Sequence, residues 1–111
     1  MERETRKWYE IRARVLKGMA HPTRLFIIHK LMDGEQSVGA LTEMIGDDIS
    51  TVSKHLSLLR GLDIIQAEKR GLHVYYHLSV GCLDNFCGCV EQILHVREGA
   101  RVARRGGSRS L

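Results

Sequence analysis

The chain has 111 residues, 43% hydrophobic and 27% charged, which suits one soluble globular domain with a single small core. No apolar run reaches the ~18 residues of a membrane span, and the charged opening MERETRKWYE lacks the apolar stretch of a signal peptide, so the expected compartment is a reducing cytoplasm. The net charge of +4 resides at the end: setting aside Arg97, Arg101, Arg104, Arg105, Arg109 and Glu98 leaves twelve basic and twelve acidic residues, so the overall pI says little about nucleic acid.

Residues 5–17 place Trp8, Ile11, Val15 and Leu16 at helical spacing with charges between them. HPTRLFIIHKLMDG predicts a second helix, with Pro22 in its first turn, an apolar stripe of Leu25, Ile28, Leu31 and Met32, and Gly34 as its end. SVGALTEMIG predicts a short third helix with Leu41, Met44 and Ile45 inward and Gly46 as its stop. DDISTVSKHLSLLRG predicts a fourth, capped by Asp48, with Val52, Leu56 and Leu59 as the inner stripe. The period then changes. Ile64 and Ile65, then Val74, Tyr75, Tyr76 and Leu78, form two β-rich runs about Arg70-Gly71, hence a hairpin. Helical period returns from Cys82 to about Glu98. Two short helices joined by a tight Gly turn and followed by a hairpin make a helix-turn-helix with a wing. The expectation is a mainly α winged helix-turn-helix over residues 1–98. A basic Gly/Ser/Arg tail, 99–111, is expected to be disordered, and either adds nonspecific phosphate contacts or is a solvated terminus.

The stretches HPTRLFIIHKL, DISTVSKHLSLLR and KRGLHVYYHLS resemble, in one register over roughly residues 15–80, the ArsR/SmtB family of winged-helix repressors. The resemblance implies a homodimer, joined through its first and last helices, that clamps double-stranded operator DNA and releases it when an inducer binds. Two departures stand out. Where many members carry a Cys-Val-Cys metal site at the start of the third helix, this chain has Ser37-Val38-Gly39. After the recognition helix, Leu62-Asp63 replaces the usual Ala-Gly, and Asp tolerates the left-handed backbone such a turn needs.

With Val52, Leu56 and Leu59 turned to the core, Ser50, Thr51, Ser53, Lys54 and His55 are expected to project from the first two turns of the fourth helix. Short hydroxyls, a lysine and an imidazole reach phosphates and base edges in a major groove. The alternative is a plain amphipathic surface helix. Lys69 and Arg70 at the hairpin tip are expected to touch backbone phosphates, or else form a charged turn. His73 and His77 share a strand face without a carboxylate near them in sequence, which favours a surface role over metal ligation.

All three cysteines lie in GCLDNFCGCVEQIL, and an odd number in a reducing compartment does not make a disulfide framework. On a helical projection of residues 82–98 they fall on the apolar arc, where a small thiol is ordinary packing. Cys82 and Cys89 share a face but lie ~10.5 Å apart along the axis. Cys87 and Cys89 point ~200° apart, so no single helix brings two of the three to one ion. An antiparallel pair of these helices crossing near Phe86 would bring Cys82 of one chain to Cys89 of the other, twice by symmetry. Thiolates select soft centres, so arsenite, zinc, cadmium or copper are candidate inducers, with Cys87 in the neighbouring seam.

Some zinc-sensing relatives of that family use an Asp-x-His-x10-His-x2-Glu pattern in this helix, split between two chains. Here Cys82, Asp84, His95 and Glu98 hold that spacing with two ligands changed, and the latter three face away from the cysteines. Thiol sensing of metal or redox state, simple packing, and an organic effector between the helices all stay open.

No cofactor is expected to be required for DNA binding. Enzymatic chemistry is not expected: Cys87-Gly88-Cys89 on an apolar face lacks the positive surroundings that make a thiolate, and the chain has no phosphate-binding loop or Ser/His/Asp set. The remaining rival is a winged helix that binds protein rather than DNA.

Overall fold

The computed structural model describes residues 1–104, in the order α1 (Arg3–Met19), α2 (Pro22–Met32), β1 (Gln36–Ser37), α3 (Val38–Ile45), α4 (Ile49–Gly61), β2 (Ile65–Arg70), β3 (His73–Leu78) and α5 (Leu83–Arg104). Residues 1–81 form one compact unit and α5 belongs to a second. The winged helix-turn-helix is present as expected, with one addition. Gln36 and Ser37 pair with Tyr76 and Tyr75, making the wing a three-stranded antiparallel sheet in the order β1-β3-β2. Two residues are too few to show a period, so this strand has no pattern in the sequence.

Local chemistry sets the helix ends. His21 caps α2 by accepting the Thr23 N–H on Nδ1, with Pro22 in the first turn. Ser37 caps α3 through the Ala40 N–H, and Gly46 ends it in the left-handed region at φ 88°. Asp48 caps α4 through the Thr51 N–H. The far end of α4 closes as a Schellman motif: Asp63 N–H donates to the Arg60 carbonyl at 2.9 Å and Ile64 N–H to the Leu59 carbonyl at 3.0 Å. Asp63 takes φ 60°, the left-handed turn expected of Leu62-Asp63.

The core consists of Met19, Ile27, Ile28, Leu31, Leu41, Val52, Leu56, Leu59, Ile64 and Ile65. The α4 stripe is the one expected. In α2 the buried face is Ile27, Ile28 and Leu31, whereas Leu25 and Met32 are exposed. The run LFII offers two overlapping helical stripes, and the packing of α4 and β3 on α2 selects the second. In α3 only Leu41 is fully buried and Met44 is exposed. Trp8, Ile11, Val15 and Leu16 of α1 lie exposed, so that helix joins the core only through its C-terminal Gly18 and Met19. There the fit is tight: a Cβ at Gly18 would overlap Leu62 Cδ1.

Candidate nucleic-acid interface

With its inner stripe buried, α4 turns its first two turns outward. Ser50 and Lys54 are exposed, and Ser57 continues the same line at the i+7 position. Thr51 and Ser53 flank that line, half-buried. Ser57 was not among the residues expected to project, although its spacing from Ser50 and Lys54 marks it. The Ser50 hydroxyl donates to Asp48 Oδ1 at 2.9 Å, beside the Thr51 N–H on the same oxygen at 2.8 Å. This fixes the Ser50 rotamer while leaving its oxygen free to accept. The Thr51 amide, above all, and then the Thr51 and Ser50 side chains hold the Asp48 carboxyl below the usual carboxylate range. Lys54 makes no ion pair among the described residues, so its ammonium is available to a phosphate.

His55 departs from expectation. Its ring is half-buried and turned toward α2, where Arg24 Nη1 approaches Nδ1 at 3.2 Å and the His21 ring lies 4.6 Å away between centroids. At 100° per residue His55 falls between the inner stripe and the outer line, so its direction depends on what the neighbouring helix offers. Burial, then His21, then Arg24 push its imidazole below the usual range, with Asp47 opposing.

At the wing, Gly71 (φ 62°) and Leu72 form the two-residue turn between β2 and β3, with the glycine where a type II′ turn needs it. Lys69 is exposed and makes no ion pair among the described residues. Arg70 is committed elsewhere. Its guanidinium grips Glu35 with two hydrogen bonds, 2.7 and 2.6 Å, reaches Glu68 at 2.9 Å and lies 4.7 Å over the Tyr75 ring. Its hydrogen bonds to Glu35 and Glu68 raise the guanidinium further above its ordinary range, and Arg70 in turn holds the Glu35 carboxyl below its own. Of the two wing cations expected to meet phosphates, only Lys69 is unpaired. Glu35 precedes Arg70 by 35 residues, so no local pattern announces this pairing. His77 sits across from Gln66 and hydrogen-bonds its side chain at 3.2 Å.

In the second unit, α5 begins at Leu83, so Cys82 lies in the turn before it, where its carbonyl accepts the Asn85 N–H at 3.1 Å. Cys82 thus stands at the entry to the helix, one position before its first residue, while Cys87 and Cys89 lie within it. Cys82 and Cys89 are exposed and Cys87 is half-buried. Burial, with Asp84 and Glu91 nearby, pushes the Cys87 thiol up, away from a reactive thiolate. Among the described residues of one chain no three His, Cys, Asp or Glu side chains form a metal-holding group. The helix runs past the boundary expected at residue 98 to Arg104, and residues 105–111 of the basic tail lie outside the described residues. No helix among the described residues is long and apolar enough to cross a membrane.

A family model described as "Bacterial regulatory protein, arsR family" matches residues 21–67, from the cap of α2 into β2. The nodulation protein NolR of Rhizobium meliloti is 34% identical over 84 residues, 76% of this chain and 69% of that one. The crystal structure of NolR from Sinorhizobium fredii superposes with a TM-score of 0.77 at 32% identity, covering 84% of this chain and 93% of that one. The crystal structure of the transcriptional repressor BigR from Xylella fastidiosa gives a TM-score of 0.70 at 31% identity, covering 84% and 96%.

Proposed function

Because the chain belongs to the ArsR family of bacterial regulatory proteins, we propose that it is a homodimeric repressor that binds operator DNA through α4 and the wing and is released by a thiophilic inducer. As a winged-helix regulator of that family it acts by binding and not by turnover. The observation that carries the DNA-binding reading is the outer line of α4: Ser50, Lys54 and Ser57 stand exposed on a helix whose other face is locked in the core. Two such helices in a symmetric dimer meet successive major grooves of a palindromic site. Lys69 adds a phosphate contact from the wing. Repression follows the similarity to a protein described as a transcriptional repressor.

The dimer reading rests on exposed apolar residues of α1 (Trp8, Ile11, Leu16) and of α5 (Val90, Ile93, Leu94), which a second copy would cover. Antiparallel pairing of α5 helices then brings exposed Cys82 of one chain toward exposed Cys89 of the other, where two thiolates share arsenite, zinc or cadmium. The half-buried, raised Cys87 packs rather than senses. Bridging by the inducer alters the angle between the two reading heads. A coupling of about 1–3 kcal/mol lowers DNA affinity roughly 5–150-fold.

Fluorescence anisotropy of the reduced protein on the DNA upstream of its own gene tests the reading, with arsenite, zinc, cadmium or a mild thiol oxidant added in turn. The expected result is salt-sensitive binding lost with one additive, and Cys82→Ser with Cys89→Ser retaining binding but not release. A double variant that still responds removes the thiol site. Binding that ignores every additive turns the search to organic effectors. Absence of binding at any salt on that duplex and on a randomised pool leaves the protein-binding winged helix.

A further inference from the structure

We infer that His55 is a positioning residue for the recognition helix, held by Arg24 in a three-helix clasp that only a neutral imidazole completes. The inference rests on the DNA-binding role of α4 proposed above. Arg24, on α2, donates from Nε to the Gly18 carbonyl in the last turn of α1. Its Nη1 meets His55 Nδ1 on α4 at 3.2 Å. One side chain thus joins three helices beside Gly18, where a Cβ would meet Leu58 at the end of α4 and Leu62 just past it.

The protonation state follows from donor chemistry. A guanidinium has no lone pair, so His55 Nδ1 accepts, and its ring is the neutral Nε2–H form. His21 Nδ1 accepts the Thr23 N–H at 3.1 Å. A proton added to His55 Nδ1 leaves two donors facing each other. It also sets an imidazolium beside Arg24 from α2 and against the His21 ring, with Asp47, from the turn before α4, as the opposing charge.

The folded state therefore binds a proton at His55 less readily than the unfolded chain. The clasp's contribution is complete above the ordinary imidazole range near ~6.5 and is lost as pH falls through and below it. Operator affinity should fall on acidification. General electrostatics predicts the opposite sign, since protonation adds positive charge against phosphate.

The test uses the full chain and a duplex selected by it from a randomised pool at about pH 7.5, with anisotropy repeated near pH 5.5. The wild type is expected to lose roughly twofold to fivefold in affinity across that interval, less than the roughly tenfold an unshifted imidazole would allow. His55→Gln, whose amide oxygen accepts from Arg24 without titrating, is expected to give a flat profile. Single-base variants of the duplex separate positioning from base reading: a positioning residue moves every duplex together, a base reader relaxes one position. Matching pH profiles in the two proteins, or relaxation at one base pair, overturns the inference. Nitrogen-15 spectra of the imidazoles without DNA give a second readout, where a protonated Nδ1 on His55 at neutral pH overturns the clasp itself. If no duplex is selected at all, the DNA-binding reading fails and this inference falls with it, while the ring spectra still decide the clasp.

Discussion

α4 and α5, the helices to which DNA binding and inducer sensing are proposed to belong, are built in opposite ways. α4 buries Val52, Leu56 and Leu59 to 1% exposure or less and keeps serines and a lysine for the outside. On α5, Phe86, Val90, Ile93, Leu94 and Val96 are all exposed, Ile93 to 59%. With its inner stripe closed inside the chain, α4 offers an outer line of serines and a lysine, flanked by exposed Ile49 and Leu58. A helix with apolar residues exposed along its length is what the proposed dimer would cover. The reading head is thus finished in one chain, and the helix with the cysteines is not.

The largest effect that tests this contrast is on stability. Leu56→Ala should lower the unfolding free energy in urea by roughly 2–5 kcal/mol, as deletions from a closed core do. Ile93→Asp should instead shift the sedimentation profile toward monomer while the far-ultraviolet spectrum keeps its helix content. An Ile93→Asp chain that stays dimeric would show that α5 is not part of the interface. Next comes Lys54→Ala, expected to weaken binding to all duplexes alike and, with one lysine lost from each chain of the dimer, to reduce the slope of log affinity against log salt by about two. An unchanged slope would remove Lys54 from the phosphate contacts. The smallest effect is at the wing. Glu35→Gln keeps the shape of the Arg70 partner but drops its charge, and should tighten DNA binding by roughly twofold to fivefold and steepen the same slope. Weaker binding would mean that the Glu35 pair holds the wing in shape rather than withholding Arg70.

Legibility in the sequence follows the same division. Periodicity, caps and turn residues gave α4 its stripe, its Asp48 cap and its Asp63 turn, because each depends on residues within a few positions. What escaped depends on distance along the chain. β1 needs Tyr75 and Tyr76. The partner of Arg70 is Glu35, and the direction of His55 is set by Arg24, 31 residues earlier. The α2 stripe was displaced because four apolar residues in succession, LFII, satisfy two helical faces equally and only packing chooses. Ser57 is the exception: its i+7 spacing from Ser50 marks it within the helix itself. The helix with the cysteines starts one residue later than expected, at Leu83, which leaves Cys82 at its entry.

The two-residue strand has a kinetic consequence. Pairing Gln36 with Tyr76 closes a loop that contains all of α3 and α4. Closing so long a loop carries an entropic penalty that the local hairpin β2–β3 escapes, so the β1 ladder should form after the hairpin on folding. The same ladder should open first in the native state. The backbone amides that bind β1 to β3 should then exchange with solvent hydrogen faster than those joining β2 to β3. Their exchange would report how often the frame around the reading head comes undone.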